Sequence, residues 1–416
     1  MAKLRASTRW ADRVVCRMCG CALLLALLGF TPGQAQVDIH FWHSMQASAE
    51  QVAAFAEAFN QSQDAYRVQA HYVGNYQESQ TRFVAALGTA EQPSLYQAEI
   101  AFFPQLVQDG VLEPLDAWVE TLEPSFIEDF FPGLWQYGEL AGQRYGLPWN
   151  SSTPVLLYNA TAFRQRGVEA PQTWEDFVEA SARLSSRRSQ GFIAMAESWI
   201  FEAMVTTRGG SLVTASGAPN FDSPEAIAAL QMLQDLVQRG HASARSYAEL
   251  PFAQLDMVRT QGMMIFASIA NWPEARRFSF AFELAAAPMP TGGAAAVPLG
   301  GAQLVIPNTV SEAEQQGAFA FWQFLMEAEN VAAWVRDSFY IPVRRAALPL
   351  LEPWYDEDPN RRAALAQLEQ AVPRPRVAAF ASWRRYLEDA IEQVIKAGVD
   401  PETALQDAQQ RALALP

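Results

Sequence analysis

Cysteine is nearly absent from this chain, and its few occurrences lie at one end. All three cysteines, Cys16, Cys19 and Cys21, fall within residues 1–35. A chain cut after this segment has no thiol, no disulfide and no thiolate metal site. The four histidines are also scarce, and no two of them have the spacing of a metal-binding motif. The sequence therefore predicts neither a metal site nor a cofactor.

Positive charge is scarce as well. The chain has 30 Lys and Arg against 45 Asp and Glu, which gives a net charge of −15. Residues 1–35 hold five of the basic residues and one Asp, so the remaining chain carries −19. Nucleic acids and anionic lipid surfaces bind basic faces, and this charge argues against both as partners. A small anionic ligand in a buried site is compatible with it, because screening over about 10 Å weakens distant charges.

Sequence motifs of catalysis are missing. The chain contains no H-E-x-x-H, G-x-S-x-G, P-loop or G-x-G-x-x-G pattern. His43 stands beside Ser44 at the end of a predicted strand, but adjacent side chains at a strand end rarely converge on one proton. We therefore expect a binding protein without catalytic residues, and not an enzyme.

Long apolar runs are confined to the N-terminal segment. Residues 1–35 combine basic residues with an apolar run over 21–30 and end on Pro32-Gly33-Gln34-Ala35. This order is typical of a secretory signal peptide, and the run is too short to span a membrane. No later run approaches the roughly 18 uninterrupted apolar residues of a spanning helix. We predict cleavage near Ala35 and export to the periplasm as a soluble protein.

Strand and helix patterns alternate along the rest of the chain. Short apolar runs predict strands at 37–41, 66–72, 94–98, 155–158, 191–195, 263–267 and 302–306. Helical periodicity predicts helices from Ser48 and at 102–111, 163–184, 225–239, 248–260, 312–326, 328–335, 379–397 and 402–413. This alternation predicts an α/β protein whose mostly parallel sheets are flanked by helices. Its length exceeds one ordinary domain, so two lobes are expected.

Three stretches are candidates for crossings between the lobes. In 147–159, LPWNSSTPVLLYN, four small polar side chains lead into an apolar strand, which suits a crossing that faces a cleft. An ordinary loop is the alternative. The small-residue run 291–301 and the segment 340–342 complete the set. The predicted divisions are 36–148 in lobe 1, 149–299 in lobe 2, 300–339 in lobe 1 and 340–416 in lobe 2, with a ligand between the lobes at the hinge.

Motifs follow these strands and crossings in a fixed order. They are FWHSM at 41–45, GNY at 74–76, WNSSTPVLLYN at 149–159, LGGA at 299–302 and FYIP at 339–342. Together they resemble the motifs of the periplasmic sn-glycerol-3-phosphate-binding proteins of ABC importers. The resemblance implies the type II periplasmic-binding-protein fold and delivery of glycerol 3-phosphate or a glycerophosphodiester to an inner-membrane permease. We expect a monomer.

The same resemblance implies a set of ligand contacts. They fall on Tyr76, Glu99, Ser152, Ser268, Gly301, Tyr340 and Arg384. Two departures from the family pattern affect the glycerol end. Ile100 stands at the usual acidic position, so Glu99 serves only if the strand end shifts by one residue, and the segment around Ser268 is two residues shorter.

Each candidate also has an ordinary structural interpretation. Tyr76 could start a helix, Ser152 could cap a turn, Tyr340 could be a core aromatic and Gly301 a hinge glycine. Arg384 lies near the start of a predicted helix, where it could bind phosphate or form a surface pair with Glu388, four residues on. Trp42 and Trp199 are possible aromatic linings of the cleft, with the core as the alternative.

Two other functions are compatible with the sequence. A sugar or oligosaccharide receptor would use the aromatic residues as stacking faces and pair its polar groups with a neutral ligand. A secreted glycosidase would need two carboxyl groups about 5 to 9.5 Å apart in the cleft, which a sequence cannot show.

Overall fold

The computed structural model describes residues 36–294 and 296–415, so the predicted signal peptide lies outside the described residues. The strands are β1 Val37–His43, β2 Tyr66–Tyr72, β3 Leu95–Glu99, β4 Glu139–Leu140, β5 Gln143–Arg144, β6 Leu147–Ser152, β7 Pro154–Asn159, β8 Phe192–Ala196, β9 Ala242–Ser246, β10 Met264–Ser268, β11 Leu284–Ala287, β12 Val297–Pro298, β13 Gly300–Val305 and β14 Ala371–Val372.

The helices lie between these strands and at the C-terminal end. They are α1 Ala49–Ser62, α2 Tyr76–Ala86, α3 Phe103–Gln108, α4 Asp116–Val119, α5 Pro124–Glu128, α6 Pro132–Tyr137, α7 Ala160–Arg166, α8 Trp174–Leu184, α9 Ser198–Thr206, α10 Pro224–Gln238, α11 Leu250–Val258, α12 Trp272–Phe278, α13 Glu312–Leu325, α14 Ala328–Ser338, α15 Leu348–Glu357, α16 Phe380–Ala397 and α17 Pro401–Leu413. Short 3-10 helices lie at Tyr247–Glu249, Ile269–Asn271, Arg345–Ala347, Pro359–Arg362 and Leu365–Gln370.

The largest sheet has the strand order β2-β1-β3-β13-β6. β1 runs parallel to β2 and β3, as the sequence predicts. β13 runs antiparallel to both β3 and β6, so the sheet is mixed and not mostly parallel. The difference arises because β6 and β13 enter the sheet from the crossings and not from β-α-β connections, which alone favour parallel strands.

Alternating side chains of β1 show how the first core forms. Ile39 and Phe41 are fully buried. The Phe41 ring meets Trp149 of β6 at 5.4 Å and Phe321 of α13 at 5.8 Å between centroids, both edge-on. Such edge contacts are the favoured geometry of aromatic pairs. One face of the first sheet is therefore sealed by α1 and α13.

The second core surrounds a smaller set of strands. β7 pairs antiparallel with β10 and β11, and β8 pairs parallel with β9, so this lobe also departs from a mostly parallel sheet. Phe177 packs against Phe192 and Phe266 with ring centroids 4.9 and 5.1 Å apart. One stripe of α16 is buried in this core, with the members Trp383, Leu387, Ile391 and Val394.

The crossing at 147–159 is made of two consecutive strands. β6 belongs to the first sheet and β7 to the second, with only Thr153 between them. Val155 and Leu157 join the first core cluster, whereas Leu156 joins the second. The stretch is therefore a buried crossing and not an ordinary loop.

The division of the chain beyond the crossings stays a prediction. Residues 341–368 pack on the first core cluster, and residues 380–412 pack on the second. The sequence did not predict the short helices and hairpin over 116–144 or the helical turns over 348–370. No helix in the described part of the chain is long and apolar enough to cross a bilayer.

The buried side chain of His43, the last residue of β1, should make the stability of the protein depend on pH. Its side chain is 2% exposed, and burial together with the nearby His71 lowers its pKa to about 4. In the unfolded chain the value is about 6.5, so between pH 6.5 and 4 the unfolded state binds a proton that the folded state does not. We expect the free energy of unfolding to fall as the pH falls through this window.

Denaturant unfolding at a series of pH values measures this contribution. His43→Gln removes the titrating group, so its free energy of unfolding should fall less between pH 7 and pH 4.5 than that of the parent. The difference between the two pH profiles isolates this one side chain. Parallel profiles would contradict the assignment.

Candidate functional site

Asn150 is the centre of a buried hydrogen-bond network at the crossing. Residues 150–153 are almost completely buried. The Asn150 Nδ2 group donates to the Tyr76 hydroxyl at 2.9 Å, and its Oδ1 accepts from Gln97 Nε2 at 2.8 Å. The Gln97 Oε1 atom accepts in turn from the Ser44 backbone N–H at 2.7 Å. The network joins the segments after β1 and β2 to β3 and to the crossing.

Two tyrosine hydroxyls meet beside this network. Tyr76 begins α2, and burial followed by the neighbouring Tyr340 raises the pKa of its hydroxyl well above the usual range. Burial also raises the pKa of Tyr340, so both hydroxyls stay neutral donors at physiological pH. The Tyr340 ring stacks on Trp334, and the Ile341 N–H donates to the Ser151 carbonyl at 2.8 Å. The 339–342 segment is thereby fixed to the crossing.

Gly301 occupies a position that only glycine fits. Its φ is +104°, and a Cβ there would lie 2.0 Å from the Asn150 carbonyl oxygen. Its own carbonyl accepts from the Ile100 N–H at 3.0 Å. A side chain would force β13 away from β6, so the glycine permits the close approach of these strands.

Ser152, Gly300 and Trp199 pack against one another. A Cβ on Gly300 would lie 2.5 Å from the Trp199 ring and 2.7 Å from the Ser152 hydroxyl. Trp199 belongs to α9 of the second core, so its ring closes over the crossing from the other side. Among the described residues, Ser151 Oγ and Trp199 Nε1 are buried without a hydrogen-bond partner.

Glu99 and Arg384 form the central ion pair of the site. Glu99 ends β3, and its Oε1 lies 3.1 Å from an Arg384 guanidinium nitrogen on α16. Arg374 lies 3.6 Å from the same oxygen and 2.8 Å from Glu202 Oε2 on α9. The neighbouring Glu99 is the main cause of a raised pKa at Arg384. A chain of charges thus connects the end of a strand in the first sheet to two elements of the second lobe.

Two more carboxylates border this chain. Glu197 caps α9 by accepting from the N–H groups of Trp199 at 3.0 Å and Ile200 at 2.7 Å. Glu388 accepts from the Ser198 hydroxyl at 2.8 Å. Burial is the main cause of a raised pKa at both carboxylates. The alternative pairing of Arg384 with Glu388 is not formed, because Arg384 reaches Glu99 instead.

The structure brings most of the sequence-predicted residues together. Contacts through Asn150, Ser151 and Gly300 connect Tyr76, Ser152, Gly301 and Tyr340. Glu99, which pairs with Arg384, is close enough to Tyr76 to contribute to the raised pKa of its hydroxyl. Ser268 lies opposite Pro154 in the second sheet and accepts from the Ala270 N–H at 3.2 Å. Trp199 lies at the site, whereas Trp42 packs on the first core between β2 and β3.

The structure shows whether residue 99 or residue 100 directs its side chain toward Arg384. The Ile100 side chain is 1% exposed and belongs to the first core, while the Glu99 carboxylate reaches Arg384.

Sequence reasoning missed the partners Gln97, Arg374 and Glu202. A polar Gln97 inside an otherwise apolar strand was the available signal for the first. Nothing local marks Arg374 and Glu202 as partners, because they are 172 residues apart.

Two α/β lobes joined by short crossings, with buried polar and charged groups at the junction, define the class of solute-binding receptors. Comparisons with known proteins agree with this class. A model of bacterial extracellular solute-binding proteins matches residues 54–363. The sn-glycerol-3-phosphate-binding periplasmic protein UgpB of Pectobacterium atrosepticum is 26% identical over 409 residues, which cover 92% of this chain and 92% of that protein.

Solved structures show the same fold. UgpB from Mycobacterium tuberculosis in complex with glycerophosphocholine has a TM-score of 0.81 at 24% identity, covering 92% of this chain and 98% of that chain. The sugar-binding protein MalE from Xanthomonas citri has a TM-score of 0.81 at 20% identity, covering 90% and 96%. This chain belongs to the family of bacterial extracellular solute-binding proteins, whose members bind small solutes for ABC importers. The resemblance to the sn-glycerol-3-phosphate-binding proteins is confirmed.

Arg374 should be the most stability-sensitive residue of the charge chain. Arg374→Gln leaves Glu202, which is 3% exposed, without its cationic partner. Removing one member of a buried pair costs about 3–5 kcal/mol, and we expect a loss of that size in the free energy of unfolding from urea titration.

The control is Arg345→Gln, which breaks an exposed pair with Glu369 and should cost at most about 1 kcal/mol. Adding Glu202→Gln to the Arg374 variant should restore part of the loss, because no unpaired charge then remains. Equal losses for the two single variants would show that burial of the Arg374 pair does not matter.

Proposed function

We propose that this chain binds sn-glycerol 3-phosphate or a glycerophosphodiester and delivers it to an ABC permease in the inner membrane. The observation that carries the proposal is the Arg384 guanidinium at the junction of the lobes, which pairs with Glu99 and retains 31% side-chain exposure. A buried phosphate needs a cation or several donors, and an arginine fork supplies two parallel bonds to phosphate oxygens. The similarity to the UgpB proteins supports the same ligand class.

Each remaining candidate has a role in this proposal. The hydroxyls of Tyr76, Tyr340, Ser152 and Ser268 and the N–H of Gly301 would donate to phosphate oxygens. The Glu99 carboxylate would accept from the glycerol hydroxyls. A bound ligand replaces part of the Glu99–Arg384 contact, in which Arg384 retains 31% side-chain exposure. The Trp199 ring would cover the carbon backbone of the ligand.

The charges at the site favour a phosphodiester over a phosphate monoester. Arg374 and Arg384 are already matched by Glu99 and Glu202, and Glu197 and Glu388 lie close by. The site therefore has no surplus of positive charge. A monoester carries up to two negative charges near pH 7 and a diester only one, so the diester needs less compensation.

The place of action is part of the same proposal. We infer that residues 1–35 are removed during export and that the remaining chain works in the periplasm as a monomer, without a cofactor. The similarity to periplasmic UgpB proteins supports this location.

A sugar receptor is the second candidate function. Trp199 at the site offers a stacking face, and the carboxylates around Arg384 could pair with sugar hydroxyls. The structural similarity to the sugar-binding protein MalE concerns the fold and does not separate the two ligands. A secreted glycosidase is disfavoured, because the relatives are solute-binding proteins.

Ser152→Ala should weaken ligand binding without loss of stability. The substitution removes one donor to a charged group, which costs about 1–3 kcal/mol of binding free energy. We expect this loss in calorimetric titration with glycerophosphocholine and a nearly unchanged melting temperature. Ser382→Ala, at an exposed position of α16, is the control and should match the parent. A large drop in melting temperature at unchanged affinity would return Ser152 to a purely structural role.

Arg384→Ala should abolish binding of phosphate ligands. Arg385 is its matched control, because it follows directly on α16 yet donates to the Tyr386 hydroxyl at 2.9 Å and not to the site. Calorimetry of the parent and both variants with glycerophosphocholine, glycerol 3-phosphate, glycerol, maltose and trehalose measures the effect. We expect the parent to prefer the diester and the Arg385→Ala variant to behave like the parent.

The same titrations distinguish the two candidate functions. If both arginine variants bind phosphate ligands like the parent, the phosphate assignment is wrong. If the parent binds maltose or trehalose but no phosphate ligand, the result favours the sugar receptor as the function.

A further inference from the structure

His40 and His71 face each other on the side of the first sheet away from its aromatic core. They lie on the parallel neighbours β1 and β2, where Trp42 is the register partner of His71 and Gln69 that of His40. The Nδ1 atom of His40 is 3.3 Å from the Nε2 atom of His71, and the two rings are stacked with centroids 5.5 Å apart. Both side chains reach solvent.

The distance between these nitrogens matches the geometry of a metal site. Imidazole nitrogens bind Zn²⁺ at about 2.0–2.1 Å, and a tetrahedral angle between two such ligands separates the nitrogens by about 3.3–3.4 Å. A single N–H···N hydrogen bond between the rings produces a similar spacing. The two interpretations differ in whether a metal ion binds, which a titration can decide.

We propose that His40 and His71 form a two-histidine binding site for a divalent transition-metal ion. Imidazole ligands select Zn²⁺, Cu²⁺ or Ni²⁺ over Mg²⁺ and Ca²⁺, which require oxygen ligands. Water completes the coordination, because the described residues contain no group of three or more His, Cys, Asp or Glu side chains placed to hold a metal. Binding requires the tautomers that carry their protons on His40 Nε2 and His71 Nδ1.

The surroundings keep the pair available for a metal. Asp38, on the same face, is engaged by Gln69 Nε2 at 3.1 Å. Both histidines are carried by hydrogen-bonded strands, which hold ligands more rigidly than loops do.

The site is separate from the candidate solute site. His43 lies on the opposite, buried side of β1, where its Nδ1 accepts from the Met45 N–H at 3.2 Å. The histidine pair makes no use of Arg384, Glu99 or the crossing. Metal binding therefore tests a property that is independent of the solute.

Calorimetric titration of the tag-free chain without residues 1–35, with ZnCl₂ and with NiCl₂ at pH 7.5 in a non-coordinating buffer, tests the proposal. We expect one saturable site in the parent. His40→Ala and His71→Ala should each lower the affinity by about tenfold or more, as the loss of one of two protein ligands requires. His241→Ala, in the other lobe, is the matched control and should bind like the parent.

Histidine ring resonances of the parent provide a second measurement that does not depend on variants. Zinc should shift the rings of His40 and His71 and leave that of His241 unchanged, and a chelator should reverse the shift. Unchanged metal affinity in both variants would mean binding to surface carboxylates. The absence of saturable binding in the parent would leave only a hydrogen bond. Either result overturns the proposal.

Discussion

Charges buried at the junction of the two lobes constrain this structure more than any other interaction. An ion removed from water must find a partner, and one left alone costs several kcal/mol. Glu202 and Arg374 are both almost fully buried, and Arg374 also approaches Glu99. The partners come from α9, from the segment before α16 and from the end of β3. Their pairing therefore fixes how these elements meet and where Arg384 is held.

A network of neutral hydrogen bonds likewise fixes how the elements around the crossing meet. Asn150 uses both ends of its amide, one for Tyr76 and one for Gln97. Because each buried polar atom in this network needs its partner, the motifs around it tolerate few alternatives. This network explains the short polar runs of the sequence, because they meet at one place, where strands of both sheets converge. The proposed solute site lies at this junction, where the Arg384 guanidinium retains 31% side-chain exposure.

How much the sequence predicts follows from the range of the interactions involved. Helices and strands arise from local periodicity, and α16 is present where its helical pattern predicts it. The orientation of β13 depends on which strand it meets after the crossing, and no local pattern contains that information. Arg384 and Glu99 are 285 residues apart, so their pairing emerges only from the folded chain. The sequence motifs predicted the residues of the candidate site, but its charge balance required the structure.

The alternation of β7 limits how the lobes can move. Its odd-numbered residues Val155 and Leu157 belong to one core and Leu156 to the other, so a shift of the strand would disturb both cores at once. Pro154 fixes one backbone torsion, and Thr153 is fully buried, with its carbonyl accepting from the Ile269 N–H at 3.3 Å. Any movement of one sheet relative to the other would therefore have to be absorbed beside this strand and not along it. Ser152 and Gly300 lie at that point, so the proposed solute contact and the proposed hinge would share the same few residues.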